Sequence, residues 1–482
     1  MNHTASNAIR RASVALLLAG ALSALPATAQ SAFTTLDRAS EARVNFAAAT
    51  RGAPIEAGST VQVSGQGFQP GQQVQLLYGA SALAGGGFTA DGEGKISGQI
   101  QVPANAVAGT HPLVVVASAP YSASIANLKV SPTVPLAGQD NYQITEGKAA
   151  RGLYQSAWSA RNNALFVTAA TGRPPVRQSE LLKLNADTLA VLAKATPSAA
   201  PERPGPARPA NAPAQPAQPQ GPGLFAVYGV GVDDAHDNVW VTNTRQNSVA
   251  VYRQADLSLV KQFEPGLVPH SRDVVVDQQG NKAYASATGT PNIIVFDSAR
   301  LDVLKTITVP TLKRGAEFST LSLSLDRAAG RLYVVSMSTN EVAVIDTRTD
   351  TVLKTMPVPG AMGAIGVSHD PQTGRIYVAS QGSDNLVVLD GESGAVVADT
   401  PVGAGALNVA FDPAARRAYV TNRGAGTVAV TDADGKLVAN LGPAPFANHV
   451  SLGADGTVFV VDKSSGVSGE ESDTVLRIRP RS

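Results

Sequence analysis

From about residue 140 onward the chain repeats one pattern: an apolar run, a polar turn, a second apolar run, and the same again. Seven runs align at one position: LFVT from Leu165, VWVT from Val239, AYAS from Ala283, LYVV from Leu332, IYVA from Ile376, AYVT from Ala418 and VFVV from Val458. A partner run follows each after a short loop, namely LLKLN, VAVYR, IIVFD, VAVID, LVVLD, VAVTD and VLRIR. Most copies add a run before, such as LSLSLD or LNVAFD, and one behind, such as DTVLKTMPV. Short β-rich runs bounded by Gly, Asn and Asp predict strands. The copies start 74, 44, 49, 44, 42 and 40 residues apart. Four strands per ~40–50 residues is the period of propeller blades.

One twisted four-stranded sheet cannot bury both faces, whereas sheets packed around an axis bury one another's. Small residues are expected where the inner strands converge, and Gly229, Gly231, Ser322, Ser324, Gly366, Ser368 and Ala410 fall there. Phe166, Trp240, Tyr284, Tyr333, Tyr377, Tyr419 and Phe459 share one position on the second strands and are expected in the core. The last partner run ends at Arg479, leaving an open edge, and YQITE at Tyr142–Glu146 is the strand available to cover it. The long first interval comes from residues 197–223, a Pro/Ala/Gln-rich segment that predicts a solvated insertion between the first two blades.

Ahead of the repeats, residues 50–135 alternate as TVQVSGQGF, QQVQLLYGA, GKISGQIQVP, HPLVVVAS and ASIANLKVSP, separated by Gly/Pro/Asp turns. This spacing suits a small β-sandwich. The run GSTVQVSGQGFQPGQQVQLLY resembles bacterial Ig-like modules, without the Cys…Trp…Cys core of antibody domains. Residues 1–29 have the order of a signal peptide: Arg10-Arg11, an apolar stretch, then Ala27-Thr28-Ala29. The expectation is export to the periplasm or beyond, with no membrane span and a monomeric mature protein. Cysteine is absent, so neither disulfides nor thiol chemistry contribute. Without Arg10 and Arg11 the balance is 36 basic against 37 acidic residues, so no global field draws the chain to nucleic acid or membrane.

The phrases AYVTNRGAGTVAVTD, VWVTNTRQNSVAVY and LYVVSMSTNEVAVIDTRTDTVLKT are similar to the YVTN-type β-propeller repeat. The region 140–482 resembles the periplasmic YncE-like proteins of that family, from GKAARGLYQSAWSARNNALFVTA to the closing DTVLRIRP. The fold class so implied is all-β, an Ig-like sandwich followed by a seven-bladed propeller. DNA binding has been suggested within that group and enters as an implication of the resemblance.

In this architecture the loops entering the inner strands and those joining second to third strands share one face, the channel mouth. Arg151, Tyr154, Arg173, Arg177, Tyr228, Arg245, His270, Arg272, Arg314, Glu317, Asn408, Arg423, Asn448, His449 and Lys463 fall on it, and Trp158 near it. Converging arginines predict an anion site for a phosphodiester, polysaccharide or acidic peptide. Glu264, Glu317, Glu341, Asp384, Glu470 and Glu471 dilute that field. A lactonase-like reaction would draw on His270, Arg272, Glu317 and His449, but no H-x-H, H-E-x-x-H or G-x-S-x-G pattern accompanies them. Aspartates at strand ends, such as Asp432 and Asp434, read as turn chemistry. The expectation is therefore non-catalytic recognition of an envelope protein, glycan or other anionic ligand, with no cofactor and no metal. DNA binding and lactone hydrolysis are the alternatives.

Overall fold

The computed structural model describes residues 35–37, 40–118, 120–202 and 222–481. The signal-peptide segment and residues 203–221 of the Pro-rich segment lie outside them. Seven four-stranded antiparallel sheets follow one another from Tyr142 to Pro480, and each of the first six pairs its strands in chain order. The inner strands are Leu153–Ser159, Val230–Asp233, Ser271–Asp277, Thr320–Asp326, Ala364–His369, Ala406–Asp412 and Ala447–Leu452. Each packs against the next, and the seventh returns to the first, so the sheets form a closed ring of blades numbered 1 to 7.

Closure uses the strand that precedes blade 1. Tyr142–Lys148 lies antiparallel beside Thr474–Pro480 with seven residue pairs in unbroken register, Tyr142 opposite Pro480 and Lys148 opposite Thr474. It thereby becomes the outer strand of blade 7 and covers the edge that the chain's last strand leaves open.

The repeated aromatic position is core in every blade. Trp240, Tyr284, Tyr377, Tyr419, Phe166 and Phe459 are fully buried, and Tyr333 nearly so. The inner strands approach too closely for larger residues: a Cβ on Gly231 would lie 2.6 Å from the Val274 carbonyl oxygen, and one on Gly366 2.9 Å from Asn408 Cα. Strand-end aspartates fold the turns, as where Asp432 Oδ1 accepts the N–H groups of Asp434 and Lys436.

Residues 43–130 form two further antiparallel sheets around one core that includes Val61, Val63, Leu76, Ile96, Leu113 and Val115. Two of their strands escape the sequence pattern. Arg43–Ala48 precedes the expected boundary at residue 50, and Ser81–Thr89 carries an Ala/Gly-rich run with few β-branched residues. A short connection then runs along the edge of blade 6. Asn440 exchanges both backbone hydrogen bonds with Ala137, and its side chain donates to the Val134 carbonyl at 2.8 Å.

Candidate functional site

On blades 5, 6 and 7 the loop entering the inner strand is hydrogen-bonded through its backbone to the loop joining the second and third strands: Gly382 N donates to Met362 O, Gly424 N to Ala404 O and Lys463 N to Phe446 O. This part of the mouth is a set of paired, backbone-stitched loops. On blades 6, 7, 1, 2 and 3 the mouth loops bring cations and rings together. Arg423 lies over Phe446 at 4.9 Å, Lys463 over Tyr154 at 4.6 Å and Arg245 over Tyr228 at 5.9 Å. Tyr154 and Tyr228 meet edge to face at 4.6 Å. Arg245 Nε also donates to the Tyr228 hydroxyl at 3.3 Å.

These cations sense one another. Burial lowers the Lys463 pKa below the usual lysine range, and Arg423 and Arg245 lower it further while Asp473 opposes them. Burial likewise lowers that of Arg423, with Arg272 adding to the effect. The His270 imidazole is held below its ordinary value by desolvation, then by Arg245 and Arg272. Three of the six acids expected to dilute the field are engaged elsewhere. Glu341 is buried, accepting from Thr311 Oγ1 and Leu312 N, Asp384 takes Lys129, and Glu470 pairs with Lys148.

Below the rim, polar side chains on the inner strands join blade to blade. Gln155 Nε2 donates to Asp273 Oδ1 at 2.6 Å, and its Oε1 accepts Val230 N at 3.2 Å. Asp273 Oδ2 accepts Leu323 N, Asn408 Oδ1 accepts Val450 N, and His449 Nδ1 accepts Ser156 N. Asn448 Nδ2 donates to Tyr154 O. Asn408, Asn448 and His449, singled out from sequence as ligand contacts, thus spend these bonds on the ring itself. Parallel-running inner strands share no ladder, so side chains supply what backbone groups otherwise would.

Other expected site residues lie apart from this cluster. Arg151 and Arg177 line a groove on blade 1 with Glu180, Lys194 and Glu471, and Arg173 is exposed on the same blade. Arg314 and Glu317 are exposed on the blade 4 loop, across the ring from blades 7 and 1. Trp158 sits at the opposite end of its strand, where Nε1 donates to Asn163 Oδ1 at 3.4 Å. A two-residue periodicity gives a strand position but not which end of the blade it occupies. Phe446, Asp273 and Asp473 are the participants that sequence reasoning missed. Phe446 had a signal, being an aromatic outside the repeated aromatic position.

His449 gives the channel a pH signature. Burial holds its pKa down at about 4, with Asp273 opposing and Arg272 reinforcing the shift. The fold favours neutral imidazole, so this contribution is complete above the unfolded value near 6.5 and is lost as pH falls toward 4. Asp462, raised by burial to about 6, acts in the opposite sense between its unfolded value and 6. His449→Asn, whose Oδ1 takes the place of Nδ1, keeps an acceptor for Ser156 N and removes only the first effect. From pH 7 to 4.5 it should lose roughly 2 kcal/mol less stability than the parent in urea unfolding. Parallel pH curves for the two proteins would refute this assignment.

No model of a known protein family matches the sequence, and no curated protein matches it either. Solved structures do. Hydrazine synthase from Kuenenia stuttgartiensis superposes with a TM-score of 0.53 at 14% identity, over 69% of this chain and 96% of that one. Virginiamycin B lyase from Staphylococcus aureus gives 0.51 at 11% identity, over 70% and 100%. U3-55K gives 0.52 at 9% identity, over 71% and 99%. At these identities the likeness is one of fold, and the chain is similar to β-propeller proteins.

Proposed function

We propose that this protein is an exported, non-catalytic binding propeller of the YVTN-repeat, YncE-like kind, carrying an N-terminal Ig-like module. It recognises an anionic ligand or partner of the cell envelope at its mouth. One observation carries the reading: Arg245, Arg272, Arg423 and Lys463 share an arc of the mouth, and Arg423 and Lys463 are held there at the cost of desolvation. Among the described residues neither Arg423 nor Lys463 has an ion-pair partner within 4.0 Å. Partly desolvated cations without an ion-pair partner suit an incoming anion. A single-strand DNA platform needs open ring faces, whereas Tyr228 is only 6% exposed and Tyr154 is covered by Lys463 and Tyr228.

The test is titration with a sulfated glycan, an acidic peptide and single-stranded DNA as separate probes. A glycan or peptide should bind with an affinity that falls as salt rises. Arg423→Ala and Lys463→Ala should each weaken it about tenfold or more, as expected for a charge-assisted contact. Arg314→Ala, on the far side of the ring, should change it little. Turnover of lactones or phosphoesters should stay at background with or without divalent metal. Failure of all three probes would remove the anion reading. Hydrolysis abolished by Glu317→Ala or His449→Ala would replace it with an enzyme.

A further inference from the structure

The turn between second and third strands ends in a left-handed residue on several blades: Asn247, Asn340, Asp384 and Gly426, with φ of 57, 50, 58 and 68°. Asn, Asp and Gly tolerate that conformation best. The backbone role of this residue is constant, its carbonyl accepting an N–H from the next blade's loop: Val268, Val358, Val402 and Ala444 in turn. The side chain, where present, repeats the link. Asn247 Oδ1 accepts His270 N at 2.8 Å, Asn340 Oδ1 accepts Ala364 N at 3.1 Å, and Asp384 Oδ1 accepts Gly405 N at 2.7 Å. An amide oxygen is therefore enough for the propeller. The negative charge on blade 5 is surplus to it, and its side chain is only 1% exposed.

That charge faces Lys129, near the end of the last strand of the N-terminal module. Lys129 Nζ lies 2.5 Å from Asp384 Oδ1 and donates to the Gln381 carbonyl at 2.7 Å. Thr110 of the same module lies over Met362 Sδ at 3.8 Å, on the neighbouring loop of blade 5. The connection behind Lys129 is nearly unsupported for a short stretch. Ser131 is the module's last bonded residue, to Ile55 O, and Val134 is the first bonded to blade 6. Between them Pro132 and Thr133 make no hydrogen bond to either part among the described residues.

We infer that Asp384 and Lys129 form a latch that seats the module on the mouth rim as a fixed wall, beside the loop that holds Arg423. Gly405, which Asp384 caps, accepts Arg423 N at 3.1 Å, so the latch and the cationic arc share one loop. The latch does not depend on what the mouth binds. A buried carboxylate that loses its cation is strongly disfavoured, which makes this single pair a selective hold rather than one contact among many.

Because the chain has no cysteine, Ser124→Cys and Lys305→Cys give two unique spin-label sites, one on the module and one on the propeller. The labelled full chain should show one narrow distance distribution. Asp384→Asn preserves the turn conformation and the cap on Gly405, as Asn247 and Asn340 do, so the propeller should melt within a few degrees of the parent. The distance distribution should nevertheless broaden at least twofold. Lys129→Met should broaden it equally, and the double variant no further. A distribution that stays narrow in Asp384→Asn and in Lys129→Met overturns the latch. Equal broadening with unchanged probe binding supports the latch and shows that the wall does not touch the ligand.

Discussion

A chain lacking Tyr142–Lys148 will not hold its propeller together. The strand supplies seven residue pairs to the last blade and puts Tyr142 and Ile144 against the core of Tyr419, Leu476 and Ile478. Replacing it with a Gly/Ser linker exposes the full edge of Thr474–Pro480 and unseals the contact of blade 7 with its neighbours. Stability of a domain is of order 5–15 kcal/mol, and removing a packed strand takes a large part of it. We expect a loss of at least about 5 kcal/mol, seen as a collapse of the whole propeller transition rather than fraying of one blade. The register also gives a rescue. Tyr142 sits opposite Pro480, so the same strand joined directly after Pro480 through a two-residue Asn-Gly turn keeps this register. The rescued protein should regain most of the lost stability. An unchanged melt after deletion would mean the ring is closed by other contacts.

The ring was legible because its signal is packing. The aromatic position recurs in all seven copies and the small inner residues on four blades, so each copy checks the others. The closing strand was legible for a simpler reason: the chain ends one strand short and one spare strand precedes blade 1. The mouth was less so. Arg245, Arg272, Arg423 and Lys463 could be placed on one face from loop positions alone, but Arg314 could equally, and only the ring order separates it from them. Asn408, Asn448 and His449 carried the residue types of a ligand site while serving as blade-to-blade acceptors and donors. Sequence cannot distinguish a polar group aimed at solvent from one aimed at a neighbouring backbone. Lys129 was invisible, since its partner lies 255 residues away in a different part of the fold.

Asp473 is where closure and site meet, and Asp473→Ala should damage both. Its carboxylate is fully buried, with Oδ2 accepting Gly152 N at 2.7 Å and Leu153 N at 2.9 Å, and Oδ1 accepting Ser465 N at 2.8 Å. Its own backbone exchanges hydrogen bonds with Ala149 and Ala150. One residue thus pins the loop after Lys463 to the start of blade 1, which carries Tyr154. Alanine leaves three buried N–H groups without their acceptor, and each bond to a charged acceptor is worth about 1.5–3 kcal/mol. Because the loop can relax toward water, we expect a net loss of roughly 3–5 kcal/mol rather than the full sum. Asn is no remedy: with its oxygen toward Gly152 and Leu153, its NH2 group faces the Ser465 donor. A second readout separates this residue's electrostatics from its structural role. Asp473 raises the Lys463 pKa against burial and the neighbouring arginines. Without that carboxylate the Lys463 pKa falls further, so the ammonium is lost at a lower pH and anion affinity drops earlier on the alkaline side. In the folded fraction of Asp473→Asn, the alkaline limb of binding should move to lower pH, whereas Lys463→Ala should lack that limb. An unshifted limb in Asp473→Asn would show that Lys463 does not contribute its charge to the bound anion.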